Sequence, residues 1–229
     1  MTTISTPLPT PPATPQPTLS KPSSSSSSSS ASDLSFLSLP PEIRLEIYAY
    51  LLHLPPITSH VPPRNNPPKI HAAILQTNRQ IHDEAAAVLY DTNTFVAHPS
   101  LLAGFPRLRT WYPPVCCAAV LPEIRRFHLT LRLDCDVPFD RERAARSFSG
   151  AEELHVDAVQ SVFLGVGYAN LRVLEDVRDV KLVTIRGSTT GMEGYVAWLT
   201  RRMMSHKGDD EEDFVAPEGD FAARLNIKL

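Results

Sequence analysis

Between residues 127 and 133 apolar and polar positions alternate: Phe127, Leu129, Leu131 and Leu133 against His128, Thr130 and Arg132. A period of two over seven residues predicts a half-buried β-strand. A lead-in precedes it, giving Leu121-x-x-Ile124-x-x-Phe127-x-Leu129. The same spacing recurs as Phe148-x-x-Ala151-x-x-Leu154-x-Val156 and again as Val177-x-x-Val180-x-x-Val183-x-Ile185. The offsets, 27 and 29 residues, fall at the upper end of the leucine-rich-repeat range, although no Asn or Cys follows each strand as in strict repeats of that kind.

Elsewhere the period is that of a helix. Ile43, Ile47 and Leu51 lie four apart, flanked by Tyr48 and Leu52, with Pro40-Pro41-Glu42 suited to a first turn. This predicts an amphipathic helix of about 12 residues, stopped by Pro55-Pro56. A second helical region is predicted from Lys69 to Tyr90, with Ile74, Ile81, Ala85 and Val88 as its stripe. A turn and short strand follow at Thr92–Val96. Helical stretches are expected at Asp140–Phe148 and Asn170–Val177, between the repeated strands. A better one spans Gly191–Ser205, where Met192, Tyr195, Val196, Leu199 and Met203 share a face. Strands alternating with helices imply a parallel sheet with right-handed crossovers. The expected fold class is α/β, α+β at the N-terminus: helices first, then a small, mainly parallel sheet with helices, in the form of a degenerate leucine-rich-repeat-like unit.

Composition changes how much of the chain this fold uses. Of 22 prolines, seven fall in the first 22 residues, beside an unbroken serine run from Ser23 to Ser30. Residues 1–33 cannot bury enough area to offset their ordering entropy and are expected to be a disordered Pro/Ser/Thr-rich tail. The expected organisation is that tail, a single folded domain over 34–206 (helical part 34–96, strand–helix part 97–206), and an acidic loop with a C-terminal tail over 207–229. Residues 53–68 (HLPPITSHVPPRNNPP) read as a Pro/Asn-rich connector. Residues 221–229 read as one more helical turn or a docking tail. No apolar run approaches the roughly 20 residues of a membrane span. No basic start followed by an apolar stretch suggests a secretory signal.

Formal net charge is −3, but residues 208–220 alone carry seven acids and no base. Such a run reads as a solvated loop, or as a cover for a basic surface. Arg107, Arg109, Arg125, Arg126, Arg132, Arg141, Arg143 and Arg146 cluster in sequence but are interleaved with acids, which makes a weak basic face and not a nucleic-acid binder. Cys116, Cys117 and Cys135 lack the spacing of zinc sites and read as buried free thiols in a reducing compartment, cytoplasmic or nuclear.

Three stretches carry a resemblance: Leu39-Pro40-Pro41-Glu42-Ile43-Arg44-Leu45-Glu46-Ile47-Tyr48, Leu75 through Ala85 (LQTNRQIHDEA), and Leu89 through Phe95 (LYDTNTF). They look like a large group of fungal proteins, F-box-like or carrying a domain of unknown function, with the pattern LPPEIRxxIY…RQIxxEA…LYxxNTF. The resemblance implies a non-enzymatic interaction role. In F-box proteins the first helices dock on a Skp1-type adaptor of a ubiquitin ligase, and a region behind binds the substrate. Carried over by motif position, Leu39, Pro40, Ile43, Ile47 and Leu51 would face the adaptor. Read from the residues alone, the same side chains could equally be this domain's own core, which would make it a self-contained structural or scaffolding domain with no ligase link.

Catalytic motifs are absent: there is no GxxxxGK[ST], GxSxG or HExxH. Gly165-Val166-Gly167 has Asn170 where a dinucleotide fingerprint needs its third glycine. His128 and His155 occupy equivalent outward strand positions. They could form a metal or proton-transfer site, but read first as solvent-facing strand residues. No catalytic, cofactor-binding or metal-binding residue is expected.

Overall fold

The computed structural model describes residues 35–58, 67–162, 166–209 and 213–215. The N-terminal tail, the middle of the connector, most of the acidic segment and residues 221–229 lie outside them. By its contacts the chain divides into two units, Met1–Ser38 and Leu39–Leu229. Of the first, Phe36–Ser38 forms a 3-10 turn.

The second unit begins with helix α1 (Pro41–Leu52), whose proline sits in the first turn and costs no hydrogen bond there. The region expected as one long helix is split. A 3-10 turn (Ala72–Gln76) precedes helix α2 (Arg79–Thr92), because Asn78 is an N-cap and not a helix-interior residue. Its side-chain oxygen accepts from Gln80 N at 2.8 Å, satisfying one of the orphan amides of the new helix. The buried stripe of α2 is Ile81, Ala85 and Leu89. Ile74, expected in that stripe, lies in the preceding turn and is only partly buried.

Among the described residues five strands follow: β1 (Phe95–His98), β2 (Leu102–Arg107), β3 (Arg126–Arg132), β4 (Glu153–Val159) and β5 (Leu182–Gly187). They form one sheet in the order β2-β1-β3-β4-β5. Only β2 is antiparallel, and it lies at the edge, where Pro106 has no ladder bond to lose. The repeated apolar spacing becomes the register. Phe127 pairs with Leu154 and Leu154 with Val183; Leu129 pairs with Val156 and Val156 with Ile185. The fold is therefore α/β with a mainly parallel sheet.

Helix α3 (Arg141–Phe148), capped by Asp140 on Arg143 N at 2.8 Å, connects β3 to β4. A 3-10 segment (Ala169–Leu174) connects β4 to β5, and helix α4 (Glu193–Met204) follows β5. Their buried side chains (Ala144, Phe148, Leu171, Leu174, Tyr195, Leu199, Met203) join the Phe127/Leu129 side of the sheet in the core. Phe127 meets Phe148 edge-on, ring centroids 5.5 Å apart. On α4 the stripe takes in Trp198 where the pattern suggested Val196, which is only half-buried. Gly187 has φ +104°, and a β-carbon there would fall 2.2 Å from the Ala158 carbonyl oxygen of the paired strand, so only glycine closes β5 on β4.

Asn93 ties the helices to this sheet. It is 1% exposed. Its amide nitrogen donates to Leu52 O and Leu89 O, both at 3.0 Å, and its oxygen accepts from Leu54 N at 2.9 Å. One side chain thus closes the C-terminus of α1, the last turn of α2 and the start of the connector. Asn93→Ala leaves three buried backbone groups without that partner, and we expect a loss of about 1–3 kcal/mol in stability, read as a lower midpoint in urea unfolding with an unchanged slope.

Candidate functional site: an outward helix face and a buried ion ladder

Apolar residues ring α1: Ile43, Leu45, Ile47, Tyr48, Tyr50, Leu51 and Leu52. Hydrophobicity alone therefore does not choose which side faces in. The side that does is Arg44, Tyr48 and Leu52, one position on from the four-spaced stripe the sequence suggests. Arg44 makes a two-pronged ion pair with Glu84 of α2, Nε to Oε2 at 2.9 Å and Nη2 to Oε1 at 2.8 Å. Its Nη1 donates to Leu39 O at 2.6 Å. Tyr48 Oη donates to Glu84 Oε2 at 2.9 Å, and Gln80 Nε2 to Glu84 Oε1 at 2.9 Å. Hydrogen bonds from Arg44, then Gln80 and Tyr48, hold the Glu84 carboxyl down at about 2. Burial pushes the Tyr48 phenol up, so it stays a donor.

This network fixes what α1 shows to solvent. Ile43 is 42% exposed, Leu45 48% and Tyr50 87%. Ile47, Leu51 and Leu39 are partly buried, and Pro40 is exposed. Of the five residues singled out as adaptor-facing, none lies in the core.

A second cluster lies on the other side of the sheet. In a parallel sheet whose strands follow one another in sequence, right-handed crossovers all fall on one face. The crossovers after β3 and β4 take the Phe127 side, which leaves the His128 side to polar residues. His128 and His155 are neighbours in the register, but His128 is 1% exposed, which corrects the expectation of two solvent-facing histidines. Its Nε2 lies 3.0 Å from Asp157 Oδ2, and Asp157 Oδ1 accepts from Arg186 Nε at 2.7 Å. Arg186 Nη2 donates onward to Ile57 O of the connector at 2.8 Å. Buried Arg109 does the same from the edge, donating to Pro55 O and Thr94 O. The start of the connector, Pro55 to Ile57, is therefore held against this face through its carbonyls.

Burial pushes the His128 imidazole down despite Asp157 beside it, so the ring is neutral at pH 7. Asp157 is held low: burial is the largest single effect and opposes ionisation, but the hydrogen bonds and charge interactions with Arg186 and His128 together outweigh it. His155 sits 3.2 Å from Glu153 Oε2, and Glu153 also takes Arg126 at 2.9 Å. Between the start of the connector and the sheet is a cleft with about 810 Å³ of empty space, its open mouth included, bordered by His53, Pro55, Arg109, Arg126, His155 and Arg186. Among the described residues no group of three or more His, Cys, Asp or Glu could hold a metal ion. His128 Nδ1 has no partner in the described structure. The ladder His128–Asp157–Arg186–Ile57 is a pin holding the connector to the sheet.

The other sequence candidates resolve separately. Cys116, Cys117 and Cys135 are exposed free cysteines, not buried thiols; they lie in loops outside the apolar core. The arginines of the 107–146 window go to different partners: Arg126 to Glu152 and Glu153, Arg132 to Asp134, Arg141 to Glu175, Arg146 to Glu142. Asn170 fills no nucleotide role; its amide nitrogen donates to the carbonyls of Arg132, Leu133 and Cys135, closing the turn after β3. Among the described residues no helix is long and apolar enough to cross a membrane. Comparison with protein-family models, curated proteins and solved structures finds no match to this chain.

The low Glu84 value has a pH signature. A carboxyl at about 2 when folded, against an ordinary 4.5, lends its full stabilisation above pH 4.5 and loses it as pH falls toward 2. Glu84→Gln should lower stability at pH 7 and flatten its fall between pH 4.5 and 2. Urea unfolding across that range checks this; an unchanged slope would mean the carboxyl is not held by Arg44.

Proposed function

We propose that this protein is a non-enzymatic protein–protein interaction module, an F-box-like substrate receptor that docks on a Skp1-type adaptor of a ubiquitin ligase within the cytoplasm or nucleus. The observation that supports it most is the solvent-facing aliphatic side of α1, with Ile43 and Leu45 nearly half exposed in a helix whose one inward cation is locked to Glu84. An aliphatic helix face of this kind gains by lying in a partner's groove. Leu39, Pro40, Ile43, Ile47 and Leu51 form the adaptor contact in this reading.

The sheet supplies the other half. Strands β3, β4 and β5 lie side by side in sequence order, and in this reading they are a degenerate leucine-rich-repeat-like unit. Their polar face, beyond the reach of the connector, is where a protein substrate would be held. The fungal F-box-like resemblance of the 39–95 motifs agrees with this division. Within those motifs, Arg44, Tyr48, Glu84 and Asn93 are the residues that hold α1 and α2 together.

One observation favours the scaffolding reading, with no ligase link. Ile47 and Leu51 are already half-buried within the chain, so part of the proposed contact is satisfied without a partner. Pull-down with a purified Skp1-type adaptor separates the two. We expect the full chain to retain the adaptor, and Ile43→Asp to lose at least about tenfold in affinity with under about 0.5 kcal/mol lost in stability, as for an exposed position. Absence of binding by the unsubstituted, folded chain would leave the scaffolding reading.

A further inference from the structure

Behind β5 an aromatic cluster meets three arginines. Tyr168 stacks on Tyr195 of α4, ring centroids 3.9 Å apart and planes 15° apart, and Trp198 lies 5.5 Å from Tyr195. Arg202 covers the Trp198 ring, its guanidinium carbon 5.1 Å from the centroid. Arg141 and Arg172 complete the rim. One buried carboxylate, Glu175, organises them. It pairs with Arg141, accepts from Tyr195 Oη at 2.7 Å and lies 3.4 Å from Arg172 Nε. Its backbone carbonyl accepts from Arg202 Nε at 3.0 Å. Three guanidinium groups against two carboxylates, Glu175 and Asp176, the latter 3.9 Å from Arg141 Nε, leave this rim net positive. About 640 Å³ of empty space lies within it, its open mouth included.

Part of the acidic segment, Asp213 and Phe214, lines one side of it. Phe214 meets Tyr195 edge-on at 5.1 Å and Tyr168 edge-on at 5.7 Å, and lies 5.7 Å from Trp198. Asp213 lies 3.8 Å from Arg202. Phe214 is the only aromatic residue between 208 and 220, and five of the six residues from 208 to 213 are acidic. Aromatic ring into aromatic cluster, carboxylate onto arginine rim: the sequence chemistry of the segment matches the cleft in both respects.

We propose that this cleft is a recognition site for peptide segments in which acidic residues precede an aromatic one, and that Asp213-Phe214 occupies it in cis as a competing pseudo-ligand. Such a tether acts at an effective concentration in the millimolar range. A partner's segment binds only when it outcompetes the tether or when the tether is displaced, so apparent affinity falls by the fraction of chains left open. The site is separate from the α1 face, and its test does not depend on adaptor binding.

The experiment is fluorescence anisotropy with a labelled synthetic peptide of residues 208–217 (GDDEEDFVAP), titrated with the full chain. Phe214→Ala, which empties the cleft, should bind the peptide at least about tenfold more tightly than the unsubstituted chain. Raising salt should weaken that binding. A peptide with its phenylalanine replaced by alanine should not bind. Arg172→Glu in the Phe214→Ala background, at a rim position away from the core, should reduce affinity at least about tenfold, with circular dichroism reporting that both variants stay folded. If the folded Phe214→Ala chain binds no better than the unsubstituted one, or if the peptide lacking phenylalanine binds equally well, the proposal is wrong.

Discussion

The pairing of Arg44 with Glu84, completed by Tyr48, decides the orientation of the first helix, and the exposed surface of this protein follows from that orientation. An amphipathic helix turns its apolar stripe inward because water drives it. Helix α1 is apolar on every side, so that force has no preferred direction. A directed interaction chooses instead. Glu84 on α2 sits near the helix junction and accepts from Arg44, Tyr48 and Gln80 together. A turn of α1 by one residue would bring Ile43 and Ile47 inward but carry the guanidinium and phenol away from that carboxylate. A partly buried carboxylate without its hydrogen bonds is costly. Burying the arginine therefore leaves Ile43 at the surface and Ile47 only half-buried, and Asn93 fixes the result from the far end of both helices.

The sheet obeys a different constraint with a similar outcome. Because β3, β4 and β5 are laid down in order, the elements that follow each strand cover one face. The other face keeps the polar half of each alternating strand. Part of that half is neutralised as the His128–Asp157–Arg186 ladder, and the ladder is stable because each charge has a partner and the last one reaches a connector carbonyl. The start of the proline-rich connector, a break between helices when read as sequence, is thus pinned to the sheet at Pro55 and Ile57. Proline suits it: segments with few amide donors offer carbonyls to arginine and need little in return.

Where chain pattern and physics act locally, the sequence was readable. The offsets of 27 and 29 residues between apolar windows are the ladder registers of β3 on β4 and β4 on β5. The extents of α1 and α4 and the cap-initiated α3 follow from periodicity and proline or aspartate placement. Strand β2 was not legible, since Gly104 and Pro106 in six residues hide an edge strand. The break at Asn78 was missed because an N-cap asparagine and an exposed mid-helix asparagine look alike until the hydrogen bond is seen. The inward face of α1 was ambiguous in principle: Ile43/Ile47/Leu51 and Arg44/Tyr48/Leu52 have the same spacing, and only Glu84, forty residues on, separates them. The buried His128 is likewise linked to residues distant in sequence, Asp157 and through it Arg186. The aromatic cleft joins Tyr168, Tyr195, Trp198 and Phe214, too far apart for any window, although a lone phenylalanine in an acidic run was its available signal.

The central claim is that an ion pair, not the apolar pattern, sets the outward face of α1. Side-chain accessibility in solution tests it most directly. With methyl-labelled isoleucine and leucine in the full chain, a soluble gadolinium chelate should broaden the Ile43 and Leu45 methyl resonances strongly and leave those of Leu52 and Leu89 nearly untouched. Protection of Ile43 equal to that of Leu52 would contradict the account, since it would put the isoleucine stripe in the core and the Arg44 side in water.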